Sequence, residues 1–428
     1  MVGVGGSIGT GLLLGSAAAI QIAGPAVILS FLLAALIAYS VSMAMGELAS
    51  VHPAAGSFGV YAKIYLNHWA GFISRYGFWI AIAMAIGGEM IASATYMNHW
   101  LPGVPAIVWI CAFAVALLAV NLMSVGHYAW FEYFFAMVKL VTMMAFIVLG
   151  GALLLTGHFP AQYTANGGFF PKGQAAPMYA MSFALFTFAG VEMVAISSGE
   201  SRSGRDVGRA MAIAFSLLAF VYLGSIIVLV GIMPWNGAGV TESPFVTVFR
   251  HVGLPAAGHV MNFVVLTAAL SGANASLYVD SRTLFSLARG GYAPKSMGRL
   301  NDSGTPMNAL LVSSFGILVA LGLERWAPKD AFVYILGAAL FGAMLAWLVA
   351  LAAHVVFRRR LTEQQLAELP VRSPGGPWLS AAGFAAIVIS LLTTWGASQV
   401  TVVSGIVYLI ILSVAYLVVR PNSPATGD

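Results

Sequence analysis

The stretch that decides the fold is Gly3-Val-Gly-Gly-Ser-Ile-Gly-Thr-Gly-Leu-Leu-Leu-Gly-Ser16, which is rich in glycine and carries no charge. The apolar run continues to about Gln21. Glycine weakens a helix by roughly 1 kcal/mol relative to alanine, so this stretch either packs tightly against another helix or is partly unwound. Unwound backbone at membrane depth is tolerated only where protein or a water-filled cavity satisfies its polar groups. Such a break exposes half-helix ends that can hold a charged solute, and we expect a substrate site here.

The composition is that of a membrane protein. Of the 428 residues, 60% are hydrophobic and 8% are charged, and the mean hydropathy is +0.91. Soluble domains carry roughly 25% charged residues. The net charge of +5 is explained by basic loops and does not indicate nucleic-acid binding. The single Cys111 lies in an apolar run, which excludes a disulfide or a thiolate metal site within one chain.

The hydrophobic segments predict an all-α membrane protein with twelve transmembrane helices in one domain, residues 1–428. A spanning helix needs about 20 mostly apolar residues. The predicted spans are residues 2–22, 25–46, 71–98, 103–123, 130–156, 176–198, 207–233, 255–287, 306–325, 331–357, 377–396 and 399–419.

Positive charge is unequally divided between the two sides of the membrane. With the amino terminus inside, fourteen of the 19 Lys and Arg residues fall in cytoplasmic segments, four fall outside, and Lys139 lies within a span. The positive-inside rule therefore predicts that both termini are cytoplasmic. Arg358-Arg-Arg360 is interpreted as a plain inner anchor.

A second interruption lies in the sixth span, Phe186-Thr-Phe-Ala-Gly-Val-Glu-Met193, where Gly190 and Glu192 break an apolar helix. Two glycine-interrupted segments separated by five spans are typical of a five-plus-five inverted repeat. The first repeat would cover about residues 1–156 and the second about 176–357. Two accessory helices would occupy about 377–419.

Six motifs occur in order along nearly the whole chain. They are Gly5-Gly-Ser-Ile-Gly-Thr-Gly-Leu12; Ala23-Gly-Pro-Ala26; Met45-Gly-Glu-Leu-Ala49 with Pro53-Ala-Ala-Gly-Ser-Phe58; Phe131-Glu-Tyr-Phe-Phe-Ala-Met-Val-Lys139; Phe188-Ala-Gly-Val-Glu192 with Gly199-Glu200; and Ser281-Arg-Thr-Leu-Phe-Ser-Leu-Ala-Arg-Gly-Gly-Tyr-Ala-Pro-Lys295. With these motifs the chain resembles the amino acid–polyamine–organocation superfamily, and more narrowly the bacterial amino acid permeases that include the GABA and aromatic amino acid carriers. The resemblance implies an inner-membrane permease that transports an amino acid.

The sequence departs from the family pattern in two places. Members usually carry a polar tail and a longer half-helix before the glycine motif, whereas Met1 stands four residues before Gly5. We therefore expect either a true start upstream or a truncation that impairs the cytoplasmic gate. Members also usually carry Gly-Glu before the fifth span, where this chain has Ala129-Trp130, a difference with no physical account.

The first break supplies candidate groups for a zwitterion. If the span unwinds, the N–H groups of Gly9, Thr10 and Gly11 and the Thr10 hydroxyl point at an anion. The resemblance implies that they bind the substrate carboxylate, while carbonyls of Ser7 and Ile8 accept from its ammonium group. The alternative is close glycine packing between helices.

The second break offers a complementary set of candidate groups for the substrate. Free carbonyls around Phe186, Ala189 and Gly190 would complete the ammonium site, and the Phe186 ring would cover the substrate as a gate. Ordinary core or lipid packing of Phe186 is the alternative. Glu192 is predicted to cap the broken backbone and to couple its geometry to the transport cycle.

Lys139 and Glu89 are isolated charges at membrane depth, which are costly unless paired or solvated. Burial favours the neutral form of a lysine. The resemblance implies that Lys139 replaces a sodium ion seen in related carriers and bridges spans one and eight, so that its protonation couples uptake to the proton gradient. The alternative is a static structural cation.

Glu89 is predicted to contact the substrate amine or to carry a proton, and the alternative is a neutral, hydrogen-bonded acid.

The eighth span carries Ser271, Asn274 and Ser276 on a background of small residues. The resemblance places this region against span one, facing Lys139, where these side chains would support the site. Hydrogen bonding between helices, worth about 0.6 kcal/mol per contact, is the alternative.

Other functions find no support in the sequence. No His-x₃-His, no His-Glu-x-x-His and no phosphate-binding Gly-Lys-Ser/Thr loop occurs, so we expect no metal, no cofactor and no direct use of ATP. An enzyme acting on lipid lacks a convergent His/Asp/Glu set, and a channel lacks repeated filter segments. The expected partners are an amino acid, protons and the lipid bilayer, without nucleic acid. An amino acid exchanger and a transporter-like membrane sensor remain as alternatives, and the sequence leaves the substrate and the oligomeric state open.

Overall fold

The computed structural model of the chain describes residues 7–52, 57–122, 125–157, 160–192, 204–301, 304–397 and 399–419. Within these residues the fold is all-helical, without a β-strand, as the sequence predicts. The helices in the first half of the chain are α1 (Thr10–Leu13), α2 (Gly15–Ala23), α3 (Val27–Val51), α4 (Ser57–Tyr65), α5 (His68–Asn98), α6 (Ala106–Leu122), α7 (Val125–Leu155) and α8 (Ala176–Phe188).

The second half is equally helical. Its helices are α9 (Gly204–Ile232), α10 (Pro244–His251), α11 (Pro255–Arg289), α12 (Met307–Ser313), α13 (Phe315–Trp326), α14 (Ala331–Arg360), α15 (Glu363–Ala367), α16 (Gly376–Ala397) and α17 (Gln399–Val419).

Eight helical segments of the described chain are long and apolar enough to cross a bilayer, and three further apolar helices are shorter. The segment Gly15–Val51 contains a tight turn at Gly24-Pro-Ala26, which separates α2 from α3. Gly24 has a φ of 61°, a left-handed conformation that favours glycine. The protein is therefore an integral membrane protein with many helical segments.

Helix α5 lies at the centre of the bundle and packs against α11, α13 and α14. Its first turn is capped by Asn67, whose side-chain oxygen accepts from the Ala70 N–H at 2.8 Å. Close approach between α5 and α13 depends on glycine, because a methyl group at Gly316 would collide with the carbonyl of Ala83. Helix α8 packs against α2 and α3, so both breaks face the same interior.

Candidate functional site

A cavity of about 70 Å³ lies between the two predicted breaks. The lining combines small residues, two phenylalanines and two buried acids. The lining residues are Ser7, Gly9, Gly11, Phe78, Ala81, Ile82, Ala85, Glu89, Phe186, Thr187, Ala189, Gly190, Glu192, Ser276, Ala339 and Ala343.

The first break is irregular backbone within the described segment. Gly9 is extended, with φ −131° and ψ −160°, and α1 starts only at Thr10. After four residues the helix is interrupted again at Leu14, with φ −131° and ψ −41°. The Thr10 N–H, expected to hold a substrate carboxylate, donates to Glu89 Oε1 at 3.2 Å. An acid of α5 thus occupies the predicted anion position.

Glu89 sits between the first break and α11. A Cβ atom added at Gly9 would lie 2.6 Å from Glu89 Oε1, and one added at Gly272 would lie 3.1 Å from it. Glycine at both positions is what admits the carboxylate. Lys139 is also buried, 2% exposed, and its positive charge attracts the Glu89 carboxylate.

The second interruption follows α8, which ends at Phe188. Ala189 is extended and Gly190 has a φ of 108°, a conformation that L side chains rarely adopt. The Gly190 N–H donates to Glu192 Oε2 at 3.0 Å, so Glu192 binds the irregular backbone. Residues 193–203, including the rest of the predicted sixth span, lie outside the described residues.

The two breaks touch each other. A Cβ atom added at Gly190 would lie 2.9 Å from Ser7 Oγ. The Thr187 hydroxyl donates to the Gly11 carbonyl at 3.1 Å. The Ser7 carbonyl, expected to accept from a substrate ammonium group, accepts from the Tyr222 hydroxyl of α9 at 2.6 Å. Ile8 packs in the hydrophobic core.

The three predicted polar residues of α11 separate into two places. Ser276 lines the central cavity. Ser271 and Asn274 line a different, mostly apolar cavity of about 290 Å³ between α6, α7 and α11. Asn274 Oδ1 accepts from Asn121 Nδ2 at 2.7 Å, which joins α11 to α6. Ser276 is therefore the residue of this group that the structure brings to the predicted site.

Arg358, predicted to be a plain inner anchor, belongs to a buried ion network around Glu47. Glu47 Oε1 lies 2.5 Å from Arg358 Nε and 3.4 Å from His354 Nε2. Glu47 Oε2 accepts from Arg358 Nη2 at 2.6 Å and from the Ser373 N–H at 2.5 Å. The His354 Nδ1 atom lies 2.8 Å from Ser380 Oγ. Glu47 thereby joins α3 to α14 and to the segment before α16, and His354 links the network to α16 through Ser380. The members of this network are too distant in sequence to predict.

Within the described part of the chain, no group of three or more His, Cys, Asp or Glu side chains gathers to hold a metal ion. The central cavity contains backbone groups, three hydroxyl residues and two carboxyl side chains, which suit a small polar solute with an apolar part.

Comparison with known proteins supports transport. A family model of amino acid permeases matches residues 1–423. The chain is 34% identical to the aromatic amino acid transport protein AroP of Escherichia coli (strain K12) over 97% of its length and 93% of the relative. It is 32% identical to the gamma-aminobutyric acid permease of Bacillus subtilis (strain 168), over 98% of its length and 92% of the relative. An uncharacterized amino acid permease of the same bacterium, YtnA, is 32% identical over 97% of the chain and 92% of the relative.

Proposed function

The chain belongs to the amino acid permease family, whose members are transporters and not enzymes, and from this we propose that it imports an amino acid across a bacterial inner membrane. Transport occurs by alternating access and is driven by the proton gradient. The observation that carries the proposal is the cavity between two irregular backbone segments, in which Glu89 and Glu192 are buried. Such segments offer backbone polar groups at membrane depth, where a zwitterion needs them.

The proposed architecture has twelve spans with both termini in the cytoplasm. Residues 1–156 and 176–357 form the two inverted repeats, and residues 377–419 form the accessory helices. The eight long and three shorter apolar helices support this number. The turn at Gly24-Pro-Ala26, which divides the longest segment into two, supports it as well.

The substrate carboxylate takes the N–H groups of Gly9, Thr10 and Gly11. Because Glu89 now accepts from Thr10, the carboxylate displaces it. The ammonium group meets the carbonyls of Ser7 and Ile8 and those of the second break, Ala189 and Gly190. Phe186 covers the substrate as a gate, and its place in the cavity wall supports that role.

The apolar part of the cavity favours a neutral side chain. Phe78, Ala81, Ile82 and Ala85 come from α5, and Ala339 and Ala343 come from α14. A second positive charge on the substrate would find few partners among these residues. A neutral, aromatic or ω-amino acid is therefore the proposed substrate class.

Lys139 is the proposed coupling residue, acting with Glu89. Both are buried and interact electrostatically, so a proton on one changes the charge balance of the other. When the substrate carboxylate displaces Glu89 from Thr10, the released acid is free to take up a proton. Glu192 positions the second break, Ser276 completes the cavity wall, and Ser271 and Asn274 support α11 from its other side.

The experiment is uptake into proteoliposomes with an imposed pH gradient, alkaline inside. Labelled phenylalanine, γ-aminobutyrate and threonine are each tested, and unlabelled amino acids compete with the one transported. Wild type is expected to accumulate that substrate until an uncoupler is added. The Lys139→Ala variant is expected to bind substrate without accumulating it, and Lys63→Ala, at an exposed lysine, serves as the control.

Three results would contradict the proposal. Uncoupler-sensitive accumulation by Lys139→Ala would show that Lys139 does not couple transport to protons. Uptake by wild type that requires unlabelled amino acid inside the vesicle, and ignores the pH gradient, would identify an exchanger. Binding without any transport would instead identify a transporter-like sensor.

A further inference from the structure

Asp280 is a buried acid that has no part in the transport mechanism proposed above. It lies in α11 and is 0% exposed. Gly272, which borders Glu89, and Ser276, which lines the central cavity, precede Asp280 at intervals of four residues. A step of four residues keeps nearly the same helix face and advances about 6 Å along the axis. Asp280 therefore lies about one turn beyond the cavity wall, towards the cytoplasm in the proposed orientation.

The side chains that interact with Asp280 are neutral. They are the hydroxyl groups of Ser313, the last residue of α12, and Tyr408 of α17. Ser313 Oγ accepts from the Trp79 Nε1–H at 2.8 Å, and the Tyr408 hydroxyl donates to the Gly77 carbonyl at 2.7 Å. The ion pairs among the described residues do not include Asp280. An ionised carboxylate at membrane depth is costly without a cation, so these surroundings stabilise the protonated acid.

The charged and titratable groups on the elements packed against α11 have other neighbours or are exposed. They are Arg75 and Tyr76 on α5 (both beside Tyr292), Glu89 on α5 and Lys139 on α7 (beside each other), Arg282 and Arg289 on α11 (over the rings of Tyr278 and Phe285) and the exposed Lys295. Helix α10, with Arg250 and His251, packs near Gly258 at the opposite end of α11. Among the described residues, Tyr408 is therefore the titratable group that faces Asp280.

A hydrophobic cluster separates Asp280 from the cytoplasmic end of the bundle. Trp79, Leu284, Leu287 and Ala309 are buried together there. Leu284 lies one turn beyond Asp280 on α11. While this cluster is packed, water from that side does not reach the carboxyl group. When the cluster opens, water can solvate a carboxylate and accept its proton.

We propose that Asp280 is a second proton-binding residue of the transport path, an inference that rests on the proton-driven import proposed above. It holds a proton while the inner half of the bundle is closed. When the cluster around Trp79 opens, the Asp280 O–H bond breaks, the proton passes to water on the cytoplasmic side and a hydrated carboxylate remains. Before the inner half closes again, Glu89 gives its proton to Asp280 through cavity water and the Ser276 hydroxyl. Glu89 is left as the carboxylate that binds the next proton from outside.

The first experiment reads the protonation of Asp280 directly and does not depend on transport. The full-length chain, which contains five aspartates, is labelled with ¹³C at the aspartate side-chain carboxyl and reconstituted in lipid at pH 7.5. The infrared difference between labelled and unlabelled protein separates the C=O band of protonated aspartate from the bands of carboxylates. A protonated band is expected in wild type, lost in Asp280→Asn and kept in Asp330→Asn, the matched control at an exposed aspartate.

The second experiment measures transport by the same variants in proteoliposomes with an imposed pH gradient. Asp280→Asn is expected to lose proton-driven accumulation, whereas exchange of labelled for unlabelled amino acid, which needs no net proton release, should continue. Asp330→Asn should accumulate substrate as wild type does. Asp280→Glu keeps an acid and should retain accumulation, although it removes the labelled aspartate band.

The proposal fails if wild type lacks the protonated band or if the band survives in Asp280→Asn. Accumulation by Asp280→Asn at the wild-type level would make Asp280 a structural acid and would also overturn the proposal. If Asp280→Asn does not fold, Asp280→Glu still tests the assignment, because the labelled band must disappear while accumulation remains. Wild type that shows the band but ignores the pH gradient would contradict proton-driven import and leave Asp280 a proton-binding residue, so the two failures are distinguishable.

Discussion

Glu47 and Glu89 are both buried carboxylates of long helices, but their surroundings differ completely. Glu47 is paired on both oxygens by Arg358, His354 and the Ser373 backbone. Glu89 accepts from the Thr10 N–H through Oε1 at 3.2 Å, is hydrogen-bonded by the Thr10 side chain and is attracted by the Lys139 charge. A carboxylate held by an arginine and a histidine of a neighbouring helix fastens the helices together, whereas one held by a backbone N–H and a hydroxyl can exchange partners or protons.

The largest expected effect concerns the paired acid. Arg358→Ala leaves Glu47 as a buried charge without its main partner, and breaking such a pair costs about 3–5 kcal/mol. Thermal unfolding in detergent should show a large fall in the midpoint. Arg359→Ala, at the exposed neighbour, should change it little. Equal effects of the two substitutions would mean that Glu47 is not the joint between α3 and α14.

The next effect concerns the second break. Gly190→Ala places a side chain at a φ of 108° and 2.9 Å from Ser7 Oγ, and we expect a cost of about 1–3 kcal/mol. Gly151→Ala, in a helix with no heavy atom within 4 Å of the added methyl, should stabilise by up to about 1 kcal/mol. If Gly190→Ala unfolds at the wild-type temperature, the contact between the breaks is not formed in the membrane protein.

The smallest effect on stability is expected at Glu89. Glu89→Gln keeps an acceptor for the Thr10 N–H and removes a costly charge, so stability should change by less than about 1 kcal/mol. Proton-driven accumulation in proteoliposomes should nevertheless be lost. A fall in unfolding midpoint as large as that of Arg358→Ala would place Glu89 among the structural acids and end the contrast with Glu47.

The breaks were predictable because glycine in an apolar span is a local signal. The residues that pair with the buried acids were not predictable. Glu47 and Arg358 are separated by 311 residues, and nothing in a run of three arginines distinguishes its first member. For the same reason the sequence indicated that Glu89 is costly without indicating that it takes the Thr10 N–H.

The division of α11 could have been foreseen. Ser271 and Ser276 are five residues apart, which is about 140° around a helix at 3.6 residues per turn. The two side chains therefore cannot both face one site. Helical phase therefore separates the cavity wall at Ser276 from the second cavity at Ser271 before any coordinates are known.

The hydrogen bonds from Tyr222 to Ser7 and from Thr187 to Gly11 also favour conformations in which the two breaks are joined. Each is worth about 1 kcal/mol net, so conformations that break both are disfavoured by about 2 kcal/mol from this source. That corresponds to a roughly 30-fold preference for the arrangement in which the two breaks are joined. A substrate that binds these backbone groups as proposed has to offset this preference for the arrangement in which the first break is fastened to α8 and α9.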